Sequence, residues 1–197
     1  MGMNILHRKV RLIITTIEII DELGIQRLST REIAKRQGVS EATLFRHFKS
    51  KSELLIAVLD YYSQFDSDIF QSAKMKGLGP RNAIKYFITS LVEYYENYPA
   101  ITSIMQVLDV LRYDPELVDK VKDVIHIRSG YIKQLVEEAQ LAGEISPDVD
   151  CDNLADIISG FWREICLKWR LDNQSFSLKD RTLATLEMVL NSFHSGY

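Results

Sequence analysis

The chain has 197 residues, of which 46% are hydrophobic and 26% charged, close to the averages of soluble globular proteins and unlike those of disordered or fibrous chains. The net charge of -3 conceals an asymmetry: residues 1–55 hold ten Lys/Arg against six Asp/Glu, and the remainder hold 14 against 21. Between Gln26 and Lys51 seven basic residues stand against two acidic ones, an excess that attracts a phosphate backbone or else forms an ordinary solvated face.

Helical periodicity runs through nearly every segment, and no alternating run bounded by turn residues reads as a strand, so an all-α protein is expected. A first helix is predicted over about 5–23, with Val10, Ile13, Ile14, Ile17 and Ile20 on one stripe and Gly24 as its stop. A second follows Thr30, read as its N-cap, and ends at Gly38; a third follows Ser40 and ends near Phe48. Ser50 caps a long helix predicted from Lys51 to about Lys74, which carries Leu54, Leu55, Val58, Leu59, Tyr62, Phe65 and Phe70. Gly77, Gly79 and Pro80 then interrupt the periodicity. Five further helices are predicted at about 81–97, 100–112, 115–142, 151–173 and 178–194.

The stretch from Thr30 to Phe48 has the pattern of a helix-turn-helix. Ile33 and Ala34 face inward from one short helix, Val39 closes the turn, and Leu44 and Phe48 face inward from the next. Ala34 permits close approach, and Gly38 suits a tight turn that needs positive φ. Glu41, Ala42, Thr43 and Arg46 then project outward from the start of the second helix, the part that reaches base edges in a major groove.

Thr30, Ile33-Ala34, Gly38-Val39-Ser40, Thr43, Leu44, Phe45, His47-Phe48 and Lys51 together resemble the DNA-binding domain of the tetracycline-repressor (TetR) family. The detailed match covers about the first 55 residues; the rest resembles the family only in helical layout. The resemblance implies that residues 1–50 form a helix-turn-helix domain and residues 51–197 a larger helical ligand-binding and dimerisation domain. It implies that Thr30, Arg31, Ser40 and Thr43 face DNA, that Arg46 reaches a base or phosphate, and that His47 and Lys51 hold the backbone. Phe45 departs from the family, which usually has a phosphate-binding Tyr there; its ring packs either on the sugar-phosphate edge or on a neighbouring helix.

Beyond the motif, Leu154, Ile157, Ile158, Phe161 and Ile165 form one apolar stripe, and Leu183, Leu186, Val189, Leu190 and Phe193 another, with Gly160 allowing close backbone approach. In similar proteins the corresponding helices make a four-helix dimer interface, which nominates Ile158, Phe161, Ile165, Leu186, Val189, Leu190 and Phe193; the alternative is that both stripes face the chain's own core. Aromatic and Met residues crowd the middle of the chain, and Phe87, Leu91, Tyr94, Met105, Leu108 and Trp162 are candidates to line an apolar ligand cavity, or are simply core.

Cys151 and Cys166 lie fifteen positions apart in one predicted helix, about 22 Å, too far to bridge within it. They read as reduced thiols, with redox sensing the alternative. The four histidines are scattered without metal-ligand spacing, and no nucleophile elbow or phosphate-cradling Gly loop occurs, so neither an enzyme, a metal nor a cofactor is expected. No segment approaches the ~18 apolar residues of a membrane span, and no signal sequence is apparent, which leads to the expectation of a cytoplasmic protein. The expected function is a homodimeric transcriptional regulator, a repressor released from a palindromic double-stranded DNA operator by a small, largely apolar inducer. The alternative is a ligand-independent architectural or cell-division DNA-binding protein of the same fold.

Overall fold

The computed structural model describes the backbone of residues 2–194 and the side chains of residues 7–194. The described residues form ten α-helices and no strand: α1 (Gly2–Leu23), α2 (Thr30–Arg36), α3 (Glu41–Phe45), α4 (Lys51–Ser63), α5 (Asp66–Met75), α6 (Pro80–Asn97), α7 (Thr102–Leu111), α8 (Val118–Leu141), α9 (Cys151–Leu171) and α10 (Leu178–Ser192). The all-helical class is therefore as the periodicity indicates.

Contacts divide the chain into two compact units. The first comprises residues 1–64 and 99–124, and the second residues 65–98 and 125–197. In the first, α1 packs against α2, α4 and α7. It is consequently apolar on more than the single stripe expected: Leu12, Ile13, Ile17, Ile19 and Ile20 are all buried, while Val10 is exposed. Two threonines are buried with them at no polar loss, because Thr16 Oγ1 donates to the Leu12 carbonyl at 2.8 Å and Thr15 Oγ1 accepts from Gln37 Nε2 at 2.6 Å. In the second unit α6 packs against α5 and α10, and α10 against α9, around Phe87, Ile88, Tyr95, Ile158, Trp162, Leu186 and Leu190.

The long helix expected from Lys51 to about Lys74 is two helices. α4 ends at Ser63 and α5 begins at Asp66, although no Gly or Pro intervenes. The cause is polar rather than steric: Asp66 and Asp68 favour the first turn of a new helix, where the dipole stabilises acids, and Asp66 is drawn inward to Arg128, 62 positions away.

Candidate functional site

Each short helix of the helix-turn-helix is closed by its own cap. Ser29, not Thr30, is the N-cap of α2: its hydroxyl accepts from the Glu32 N–H at 3.1 Å. Thr30 is the first helical residue, and its Oγ1 donates to Glu41 Oε2 at 2.7 Å, tying the start of α2 to the start of α3. At the other end of α2, Gly38 has φ +63° and the Val39 N–H reaches back to the Ala34 carbonyl at 3.0 Å, a Schellman closure. Nothing lies within 4 Å of a Cβ built on Gly38, so the backbone angle alone calls for glycine.

Ser40 caps α3, accepting from the Thr43 N–H at 3.2 Å, and its Oγ lies 3.1 Å from Thr43 Oγ1. Arg46 Nη2 donates to the same Thr43 hydroxyl at 3.4 Å. With Leu44 and Phe48 buried, this hydroxyl pair and the guanidinium occupy the outward face together with the exposed Glu41 and Ala42. Arg31 and Arg46 make no ion pair among the described residues, whereas Arg36 is neutralised by Glu22 at 2.6 Å and Glu32 at 3.1 Å. Phe45 is 45% exposed, so part of its ring is open to an external surface.

Lys51 Nζ donates to the Leu28 carbonyl at 2.9 Å, bracing the start of α4 against the chain before α2. The ammonium has three donors, so this bond positions it without exhausting it. Sequence reasoning overlooked two cations. Lys9 Nζ stands 5.3 Å over the Phe48 ring, and burial followed by the charges of Arg8, Arg46 and Lys9 pushes the His47 pKa below its ordinary value. The basic run Arg8-Lys9 was visible in the sequence; only its convergence with His47 and Phe48 was not.

In the second unit Phe87, Leu91 and Trp162 are buried, and Tyr94, half-buried, lines a cleft of about 260 Å3 with Phe65, Asp68, Ile69, Ser72, Tyr86, Ser90 and Glu93. Met105 and Leu108 belong to the first unit's buried residues. Of the seven residues expected at a dimer interface, Ile158, Ile165, Leu186 and Leu190 are buried within the chain, in which α9 packs against α10. Phe161, Val189 and Phe193 are half-buried, and the large apolar residues left outward on these helices are Ile157, Leu171 and Met188, with Gly160 also exposed.

The Cys151 thiol donates to Gln140 Oε1 at 2.8 Å and burial raises its pKa; Cys166 is buried. Among the described residues no His/Cys/Asp/Glu group has the makings of a metal site, and no helix is long and apolar enough to cross a membrane.

A helix-turn-helix with a polar, cationic outward face, followed by a larger helical body, defines a class of DNA-binding transcriptional regulator. The chain matches the family model of bacterial regulatory proteins, tetR family, over residues 12–58 and that of the tetracyclin repressor-like C-terminal domain over residues 106–183. It belongs to the TetR family. It is similar to the fatty acid metabolism regulator protein of Bacillus subtilis (strain 168), 23% identical over 190 residues, which span 94% of this chain and 95% of the relative. It is also 25% identical over 137 residues to the nucleoid occlusion factor SlmA of Vibrio cholerae, covering 70% of each. Among solved structures, the transcriptional regulator FadR of B. subtilis in complex with stearoyl-CoA matches with a TM-score of 0.82 at 21% identity, over 94% of this chain and 99% of that one.

Proposed function

We propose that the protein is a repressor that pairs with a second copy to bind a palindromic operator and is released by a small amphipathic ligand, for which fatty acyl compounds are the first class to test. On this reading Arg31, Glu41, Ala42, Thr43, Phe45 and Arg46 face the major groove. Ser40 and Thr30 pre-position that surface, and His47 and Lys51 meet backbone phosphates. Phe87, Leu91, Tyr94 and Trp162 surround the ligand in the second unit.

The observation that carries the ligand-released reading over an architectural one is coverage. The likeness to the fatty acid metabolism regulator extends through 94% of the chain, whereas the likeness to the nucleoid occlusion factor extends through 70%. Footprinting across the DNA upstream of the protein's own gene, with and without stearoyl-CoA, tests it. Protection of a palindrome that is lost on adding the acyl-CoA is the expected result. Protection unaffected by acyl-CoA and by a broad panel of apolar compounds would favour the architectural alternative.

A further inference from the structure

The second unit buries a charged cluster to which the proposed function assigns no role. Arg128 on α8 and Asp66 at the start of α5 are 7% and 3% exposed. The guanidinium donates through Nε to Asp66 Oδ2 at 2.8 Å, through Nη2 to Asp66 Oδ1 at 2.9 Å and through Nη1 to the Tyr95 hydroxyl at 3.0 Å. Its Cζ lies 5.7 Å from the centre of the Trp162 ring, which stacks on Tyr95 at 5.5 Å. Apolar residues of equal volume often stabilise a core as well as a buried ion pair does, so stability alone does not account for this one.

Three observations give the cluster a purpose. Trp162 is 3% exposed, yet its Nε1–H has no hydrogen-bond partner among the described residues. An indole N–H only donates, so what it lacks is an acceptor, and the neighbouring guanidinium fork is the side chain best shaped for a paired oxyanion. Access is close by: Tyr94 lines the 260 Å3 cleft, and its ring is 5.8 Å from that of Tyr95, so one ring separates the cleft from the cluster. Finally, the chain passes between its two units after Gln64, after Tyr98 and after Val124. Asp66, Tyr95 and Arg128 lie two, three and four residues from those points, and the single guanidinium binds the first two.

We propose that Arg128 recognises the anionic oxygen group of the ligand, a carboxylate or a phosphate carried on an apolar tail, and that this group displaces the Asp66 carboxylate from the guanidinium. The proposal rests on the ligand-released reading above and supplies its regulation. The step is an exchange of hydrogen-bond acceptors in which no covalent bond changes. Burial raises the Asp66 pKa more than Arg128 lowers it, so the carboxylate is held against a desolvation cost that its departure would relieve. With Asp66 gone, the first turn of α5 loses its tie to α8, so the crossing after Gln64 is uncoupled from the one after Val124, while the Arg128–Tyr95 bond is unchanged.

Tryptophan fluorescence titrations of the full chain with decanoate, decyl phosphate and 1-decanol provide the test. The wild type should bind at least one anion about tenfold more tightly than the alcohol, and the order of the two anions identifies which oxyanion the site takes. Asp66→Asn removes the competing carboxylate and should widen the preference several-fold, a gain that a merely structural ion pair would not produce. Asp66→Asn combined with Arg128→Gln removes both charges, so that neither is left buried alone, and should bring anion and alcohol within about twofold. If that double variant does not fold, Arg128→Lys, which keeps the charge and loses the fork, should narrow the preference instead. Equal binding of alcohol and anions by the wild type, or a preference that survives loss of the fork, overturns the proposal while leaving the ligand-released reading intact. Silence of all three probes and of stearoyl-CoA overturns the proposal, and the ligand-released reading falls with it when operator protection is also unaffected by the broad panel of apolar compounds.

Discussion

His47 sits half-buried among charges of one sign. Burial is the larger reason that its pKa is lowered, and Arg8, Arg46 and Lys9 add to it, so the imidazole of the free protein is neutral at neutral pH. A phosphate brought against the same cations would cancel their field and favour the imidazolium, so operator binding should take up a proton. Affinity is then expected to rise as pH falls through about 6.5 toward the lowered pKa of the free protein, by up to about tenfold for each unit of pKa restored, and His47→Gln should flatten the dependence. Stability of the free protein runs the other way. A folded-state pKa below the unfolded one contributes stability that is present above about pH 6.5 and is lost as pH falls through the folded value. Anisotropy titrations on a fixed operator, paired with melting curves of the free protein, should therefore show opposite slopes in the wild type. Identical operator slopes in wild type and His47→Gln would remove the phosphate role from this residue.

At the scale of elements, α2 and α3 have only seven and five residues, too short to be stable alone, so caps and shared core decide whether they form. Ser29→Ala removes the hydroxyl that accepts from Glu32 N–H and should cost about 1 kcal/mol in denaturant unfolding, within the usual range for N-caps. Thr30→Val should cost less and act on operator recognition, since it frees the Glu41 carboxylate. A larger stability loss for Thr30→Val would restore Thr30 as the cap. The choice between them was open to reading, because Ser29 followed three residues later by Glu32 is a capping-box spacing. What periodicity conveyed well was the existence of nearly every helix and the inward set Ile33, Ala34, Leu44 and Phe48, since these depend on neighbours a few residues away. It missed the break between Ser63 and Asp66 because the residue that draws Asp66 inward is Arg128, remote in sequence. It also could not tell which apolar side of α9 and α10 faces the chain itself, since a helix apolar on two sides has no single preferred direction.

A palindromic operator needs two recognition helices presented about 34–36 Å apart, and a chain with one helix-turn-helix meets that need by pairing with a second copy. The side chains free to make such a contact on α9 and α10 are not the deepest of the apolar stripes but their outer edges: Ile157 is 44% and Met188 63% exposed, with the half-buried Phe161 and Val189 alongside. A charge at the outer edge and a charge in the stripe therefore have different expected consequences. Met188→Asp or Ile157→Asp should leave the chain folded and shift it from dimer to monomer in sedimentation velocity at micromolar concentration, with a loss of operator affinity that follows from losing the second recognition helix. Ile158→Asp places a carboxylate at a position with no exposure at all, where burying an unpaired charge costs several kcal/mol, and should unfold the chain rather than dissociate it. Melting curves beside the sedimentation data separate the two effects. A wild type that is monomeric at micromolar concentration would overturn the proposed pairing, and a Met188→Asp variant that stays dimeric together with Ile157→Asp would move the pairing surface away from α9 and α10.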